Sequence, residues 1–129
     1  ALEYVFGYTC GNDVTARDLQ PPEGQWTYAK SFDTFCPLGP AISTEIADPE
    51  ALPVKGILNR QVVQEGSTAE HLFSVAELIE YISHCMTLLP GDVIMTGTPA
   101  GIGPLAPGDR FSVAIGGIGS LTNPVGEEA

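Results

Sequence analysis

Apolar and polar residues alternate in some stretches of the chain and recur at longer spacing in others, and each pattern predicts an element. Tyr4 to Cys10 alternates and is rich in aromatics, which predicts a first strand ending at Gly11-Asn12-Asp13. Asp13 to Gln20 is polar and runs into Pro21, so one or two helical turns are expected there, with a turn or loop over Pro21 to Gly24. A second extended run is expected from Trp26 to Phe32. Pro37, Gly39 and Pro40 crowd the next stretch and should forbid a ladder, leaving Asp33 to Pro40 as a shaped loop. Val54 to Leu58 and Gln61 to Gln64 flank Asn59-Arg60 and read as a hairpin, although Asn-Arg is a weaker turn than Asn-Gly.

Ser74-Val75-Ala76-Glu77 has the spacing of a capping box, in which the serine hydroxyl accepts from the backbone and the glutamate reaches back. Val75, Leu78, Ile79, Ile82, Cys85 and Met86 then recur at helical spacing, and Pro90-Gly91 stops them. One main helix is therefore predicted over about 74–89. Asp92 to Met95 reads as a short buried strand, Thr96 to Gly103 as a Gly/Pro-rich loop. Arg110 to Ile115 and Ser120 to Val125 read as two strands around Gly116-Gly117, with the tail from Gly126 to Ala129 frayed. About seven short strands, one substantial helix and no βαβ alternation predict a β-rich α+β domain rather than a Rossmann-type sheet.

Composition narrows the functions open to such a domain. At 129 residues the chain forms at most one domain. Five Lys and Arg stand against sixteen Asp and Glu, a formal net charge of -11, and no basic cluster offsets it. That surface would repel phosphate backbones, so nucleic acid is not an expected partner. No run approaches the roughly 18 consecutive apolar residues of a membrane helix, and no basic head precedes a hydrophobic block at the start. A cytoplasmic protein without membrane attachment is the expectation. Cys10, Cys36 and Cys85 are scattered and odd in number, which fits small apolar residues in a reducing cytosol better than disulfides or a zinc site. The chain opens in what reads as mid-strand, with no starting Met, so it is expected to be a piece of a longer polypeptide.

Three polar segments could carry chemistry. The first holds Asn12, Asp13, Arg17, Asp18 and Gln20; on a helical turn Asp13 and Arg17 share a face. The second is Lys30, a charge inside an otherwise apolar run. The third is Thr96-Gly97-Thr98-Pro99-Ala100-Gly101-Ile102-Gly103, where glycines leave backbone N–H groups open to an anion. Two of only five cations, Arg17 and Lys30, fall in these segments, which points to a specific anionic ligand. A planar guanidinium suits a carboxylate and an ammonium suits a developing oxyanion. Simple ion pairs, Arg17 with Asp13 and Lys30 with Asp33, account for the same spacing.

Other candidates carry less. The Gly-rich loop lacks the terminal Lys-Ser/Thr of a P-loop, and no G-x-S-x-G or Cys–His pairing suggests a nucleophile. His84 is expected to be a hydrogen-bonded structural histidine, and His71 receives no role. Met86 and Met95 read as core filler, and Trp26 as packing beneath Lys30.

The ordered blocks GYTCGNDVTARDLQ, QWTYAKSFDTFCPLGP and GDVIMTGTPAGIG, joined by LNRQVVQEGST and the FSVAELIEYIS helix, resemble the fumarylacetoacetate hydrolase family from about Tyr4 to Val125. That resemblance implies a mixed β-sandwich roll and a Mg²⁺ ion, replaceable by Mn²⁺ or Ca²⁺, held on three carboxylates. Asp13 matches one of these ligands; the other two belong to an E-x-E upstream of the point where this chain starts, so residues 1–129 would form a partial catalytic domain. By the same resemblance Arg17 and Gln20 orient the substrate's carboxylate or oxo group, Lys30 stabilises negative charge, and Thr98 binds the substrate's distal end. The implied activity is metal-dependent hydrolysis of a C–C bond in a small anionic oxo-acid, an acylpyruvate or fumarylacetoacetate-like compound, through an enolate. Decarboxylation or isomerisation of an oxaloacetate-type or hydroxy-hepta-diene-dioate substrate in aromatic catabolism is the close second. A non-catalytic domain that binds an acidic metabolite or serves dimerisation is the reading from another class. The family also implies a homodimer.

Overall fold

Tight turns and strand pairing, more than helix, shape the chain. The computed structural model describes residues 1–127. Its strands are β1 (Tyr8–Gly11), β2 (Leu38–Ser43), β3 (Pro53–Leu58), β4 (Gln61–Ser67), β5 (Arg110–Ile115) and β6 (Gly119–Pro124). Two helices, α1 (Thr27–Lys30) and α2 (Val75–Cys85), accompany them. A four-stranded sheet has the order β4-β3-β5-β6, β1 and β2 form a second sheet, and every pairing among the described residues is antiparallel. The β1-β2 pair rests on β6. This is the β-rich α+β arrangement expected.

The β3-β4 hairpin forms as read, and its turn explains why Asn-Arg suffices. Asn59 and Arg60 both have positive φ, 49° and 73°, as a two-residue turn of this hand requires. Asn59 is also tied to the next strand: its backbone N–H donates to the Arg110 carbonyl at 2.9 Å, and its Oδ1 accepts from the Arg110 N–H at 2.9 Å. Its Nδ2 donates to Asp109 at 2.7 Å. These bonds offset the cost of left-handed backbone at a non-glycine pair.

Helix α2 starts where the capping box predicts, with Ser74 accepting from Glu77 N–H at 3.2 Å and Glu77 Oε2 accepting from Ser74 N–H at 2.8 Å. It ends at Cys85, short of the expected 89, because Met86 is already extended at φ -152° and ψ 154°.

Four expectations are corrected. The first strand is confined to Tyr8–Gly11, with Leu2–Tyr4 in a 3-10 turn. Trp26 to Phe32 is not extended but contains α1, whose turn seats Ala29 in the interior with no exposed surface and sets the Tyr28 and Phe32 rings edge to face, 5.3 Å apart. Residues 38–40 belong to β2, despite Gly39 and Pro40. Among the described residues this strand pairs only with β1, and the register slips between Tyr8↔Ser43 and Cys10↔Gly39, so Pro40 falls in the bulged stretch and breaks no ladder bond. Asp92 to Met95 forms no strand; Asp92 instead closes a turn, with its N–H on the Leu89 carbonyl at 3.0 Å and its carboxylate on the Leu89 N–H at 2.7 Å.

Among the described residues few side chains are buried: Cys10 and Ala29 completely, Leu121 and Gln64 nearly so. Cys36 and Cys85 are exposed, so only Cys10 behaves as the apolar filler expected of all three. His84 is exposed rather than structural, and Trp26 lies half-exposed in an open depression beside Lys30. The expected frayed tail falls partly on residues 128–129, outside the described residues.

Candidate functional site

The chain leaves β1 at Gly11 and turns at once, with Asn12 N–H donating to the Pro37 carbonyl at 3.1 Å. The next residues do not form the expected helical turns; only Arg17–Leu19 closes a 3-10 turn. What holds the segment is non-local. Ala16 N–H donates to the Ala29 carbonyl at 2.9 Å, which lays Asp13 to Gln20 alongside α1. Lys30, at the last position of α1, then reaches the Asp13 carboxylate in an ion pair. Neither simple pairing expected from spacing occurs: Arg17 Nη1 instead donates to Gln20 Oε1.

Four of the five expected site residues are thus carried by two adjoining segments. The Asp13 side chain is 44% exposed and that of Lys30 29%, so the pair is reachable from solvent and is worth little as a structural bridge. Lys30 has three N–H donors and the guanidinium of Arg17 five. One of each is engaged within the cluster, leaving an acceptor-hungry surface suited to carboxylate and oxo oxygens.

Thr98 lies elsewhere, on the Thr96–Gly103 loop, which is bonded to β4. Gln64 Nε2 donates to Thr98 Oγ1 and to the Pro99 carbonyl, each at 2.8 Å. The loop's upstream end meets the other cluster's strand: a Cβ on Gly11 would stand 3.2 Å from Met95 Cε and Sδ. Gln64 is the residue sequence reasoning passed over. Its signal was a polar side chain on an inward strand position opposite a glycine, since it pairs with Gly56.

The described residues do not by themselves fit a divalent ion. Among them no three His, Cys, Asp or Glu side chains come together, and Asp13 is the sole carboxylate in the cluster above. A hard cation takes several oxygens, so Asp13 alone is too few. Burial pushes the Cys10 thiol above its ordinary pKa, which leaves it a packing residue rather than a nucleophile. Among the described residues no helix is long and apolar enough to cross a membrane.

The family model described as fumarylacetoacetate (FAA) hydrolase C-terminal matches residues 1–126. The chain belongs to this family of enzymes. It resembles the structure of a 2-hydroxyhepta-2,4-diene-1,7-dioate isomerase from Mycobacterium marinum, with 51% identity, a TM-score of 0.96, and coverage of 100% of this chain and 51% of that one. It is 44% identical to oxaloacetate tautomerase YisK of Bacillus subtilis, over 98% of this chain and 45% of that protein. A third relative is maleylpyruvate hydrolase from Sphingobium sp. SYK-6, solved with manganese(II) and pyruvate: 36% identity, TM-score 0.89, covering 98% of this chain and 46% of that one. The chain spans about half the length of the curated relatives it matches.

Proposed function

We propose that the protein containing this chain forms an enolate from a small anionic oxo-acid, with residues 1–129 supplying part of the catalytic domain. The observation that carries this reading is the ammonium of Lys30 held on Asp13 beside the Arg17–Gln20 pair. Arg17 and Gln20 would grip a carboxylate, and Lys30 would donate to the oxygen on which negative charge develops, an electrostatic role that lowers the barrier most where water is thin. Thr98 would bind the far end of the substrate.

Isomerisation or tautomerisation, hydrolysis of an acylpyruvate-type C–C bond and decarboxylation all pass through such an enolate. The isomerase and tautomerase relatives are 51% and 44% identical to this chain and the hydrolase 36%. We therefore rank proton-transfer chemistry on an oxo-acid first and C–C hydrolysis second, reversing the order expected from the blocks alone. Asp13 would be one oxygen ligand of a divalent ion, Mg²⁺ or Mn²⁺, with the other ligands outside the described residues. The manganese(II) complex of the maleylpyruvate hydrolase supports a divalent ion of this kind. A cytoplasmic homodimer completes the reading.

The test is turnover of oxaloacetate, acetylpyruvate and fumarylpyruvate by the full-length protein with Mg²⁺ and then with EDTA. Turnover of at least one compound, abolished by EDTA and by Asp13→Ala, is the expected result. A fully active Asp13→Ala enzyme that resists EDTA would remove Asp13 from the metal site, and no turnover of any compound would contradict the reaction class.

A further inference from the structure

Strand β4 is the seat of the loop that carries Thr98. Pro99 packs over Gly66, where a Cβ would stand 3.0 Å from Pro99 Cβ. Gly101, at φ 102°, lies so close to β4 that any side chain there would collide with the Val63 carbonyl. Between these two contacts Gln64 is 8% exposed and bonds both Thr98 Oγ1 and the Pro99 carbonyl through its amide nitrogen.

These bonds set the direction of a proton. The Pro99 carbonyl can only accept, so the Gln64 group facing it is the NH₂ and not the oxygen. That NH₂ has two N–H donors and accepts nothing, so its second N–H makes Thr98 Oγ1 an acceptor. The Thr98 hydroxyl keeps its own proton, and among the described residues no protein acceptor takes it. Thr98 is exposed, so that proton is available to a ligand. For a carboxylate or oxo oxygen the hydroxyl is then a ready donor; turned the other way, it would present lone pairs to an anion.

We propose that Gln64 is a positioning residue for the oxo-acid site, seating the Thr96–Gly103 loop and aiming the Thr98 hydroxyl proton at the substrate. The inference rests on the reading that Thr98 contacts the substrate. It assigns a function to a buried strand residue that touches no substrate itself.

The experiment is a double-mutant cycle on the full-length protein, with steady-state kinetics on oxaloacetate, or on acetylpyruvate where the wild type prefers it. Gln64→Met keeps the length of the side chain and removes both donors. It should raise KM by about 10-fold or more, on the scale of one hydrogen bond to a charged group, with kcat little changed. Thr98→Val should cost a comparable factor, and the double variant should be no worse than Thr98→Val alone. If Gln64→Met costs the same factor in both backgrounds, Gln64 is merely structural and the proposal is overturned. A silent Gln64→Met beside a costly Thr98→Val overturns Gln64 alone, whereas a silent Thr98→Val overturns the substrate contact on which it rests. Should Gln64→Met fail to fold, Gln64→Glu preserves shape but offers only acceptors and draws the Thr98 proton inward; an unchanged KM there also overturns the proposal.

Discussion

Lys30 and Asp13 meet across 17 residues of chain, and each is held by a backbone contact it does not make itself, the Ala16–Ala29 bond. Spacing rules act within one helical turn, which is why they suggested Asp33 as the partner of Lys30 and Asp13 as that of Arg17. The residue types were legible from two rare cations in an acidic chain, while the pairing needed the fold. Asp109 is a clearer case of a residue whose environment shows in its chemistry. The Ala106 N–H at 2.8 Å and the Asn59 amide at 2.7 Å hold its carboxyl below the ordinary carboxylate range. A depressed folded pKa means the native state prefers the ionised form. The resulting stability is fully present above the unfolded value of about 3.9 and is lost as pH falls through the lower folded one. Urea midpoints measured from neutral pH down to acid should therefore fall less steeply below about pH 4 for Asp109→Asn than for the wild type. Identical acid limbs would contradict this assignment.

Elements were legible wherever the deciding contacts were local. The capping box of α2 and the β3-β4 hairpin both depend on residues a few positions apart, and both form as read. Elements decided by distant partners were missed. Helix α1 owes its place to the burial of Ala29, and β2 tolerates Gly39 and Pro40 because among the described residues it pairs on one side only, with a bulge. Asp92 to Met95 finds no strand beside it and stays a loop. The seating of the Thr96–Gly103 loop on β4 makes Gly101 the most constrained position in that loop. Gly101→Ala combines an unfavourable left-handed backbone with a collision on the Val63 carbonyl. It should cost about 1–3 kcal/mol, seen as a lower melting temperature, and should raise KM because Thr98 moves with the loop. A variant with wild-type melting temperature and KM would show that the loop is not held there.

Taken whole, the molecule exposes more surface than its mass requires. Its accessible area is 9232 Å², against roughly 6,600 Å² for a compact monomer of this size. Tyr4, Phe6, Leu72 and Tyr81 are among the large apolar side chains left in the open. The proposal that the Lys30 ammonium stabilises an enolate is tested on the full-length protein. The direct measurement is the rate at which the full-length protein interconverts the enol and keto forms of oxaloacetate, wild type against Lys30→Met. Loss of one oxyanion stabiliser predicts a kcat lower by about 10²-fold or more, with the melting temperature retained. An unchanged kcat would return Lys30 to a structural partner of Asp13 and contradict the account.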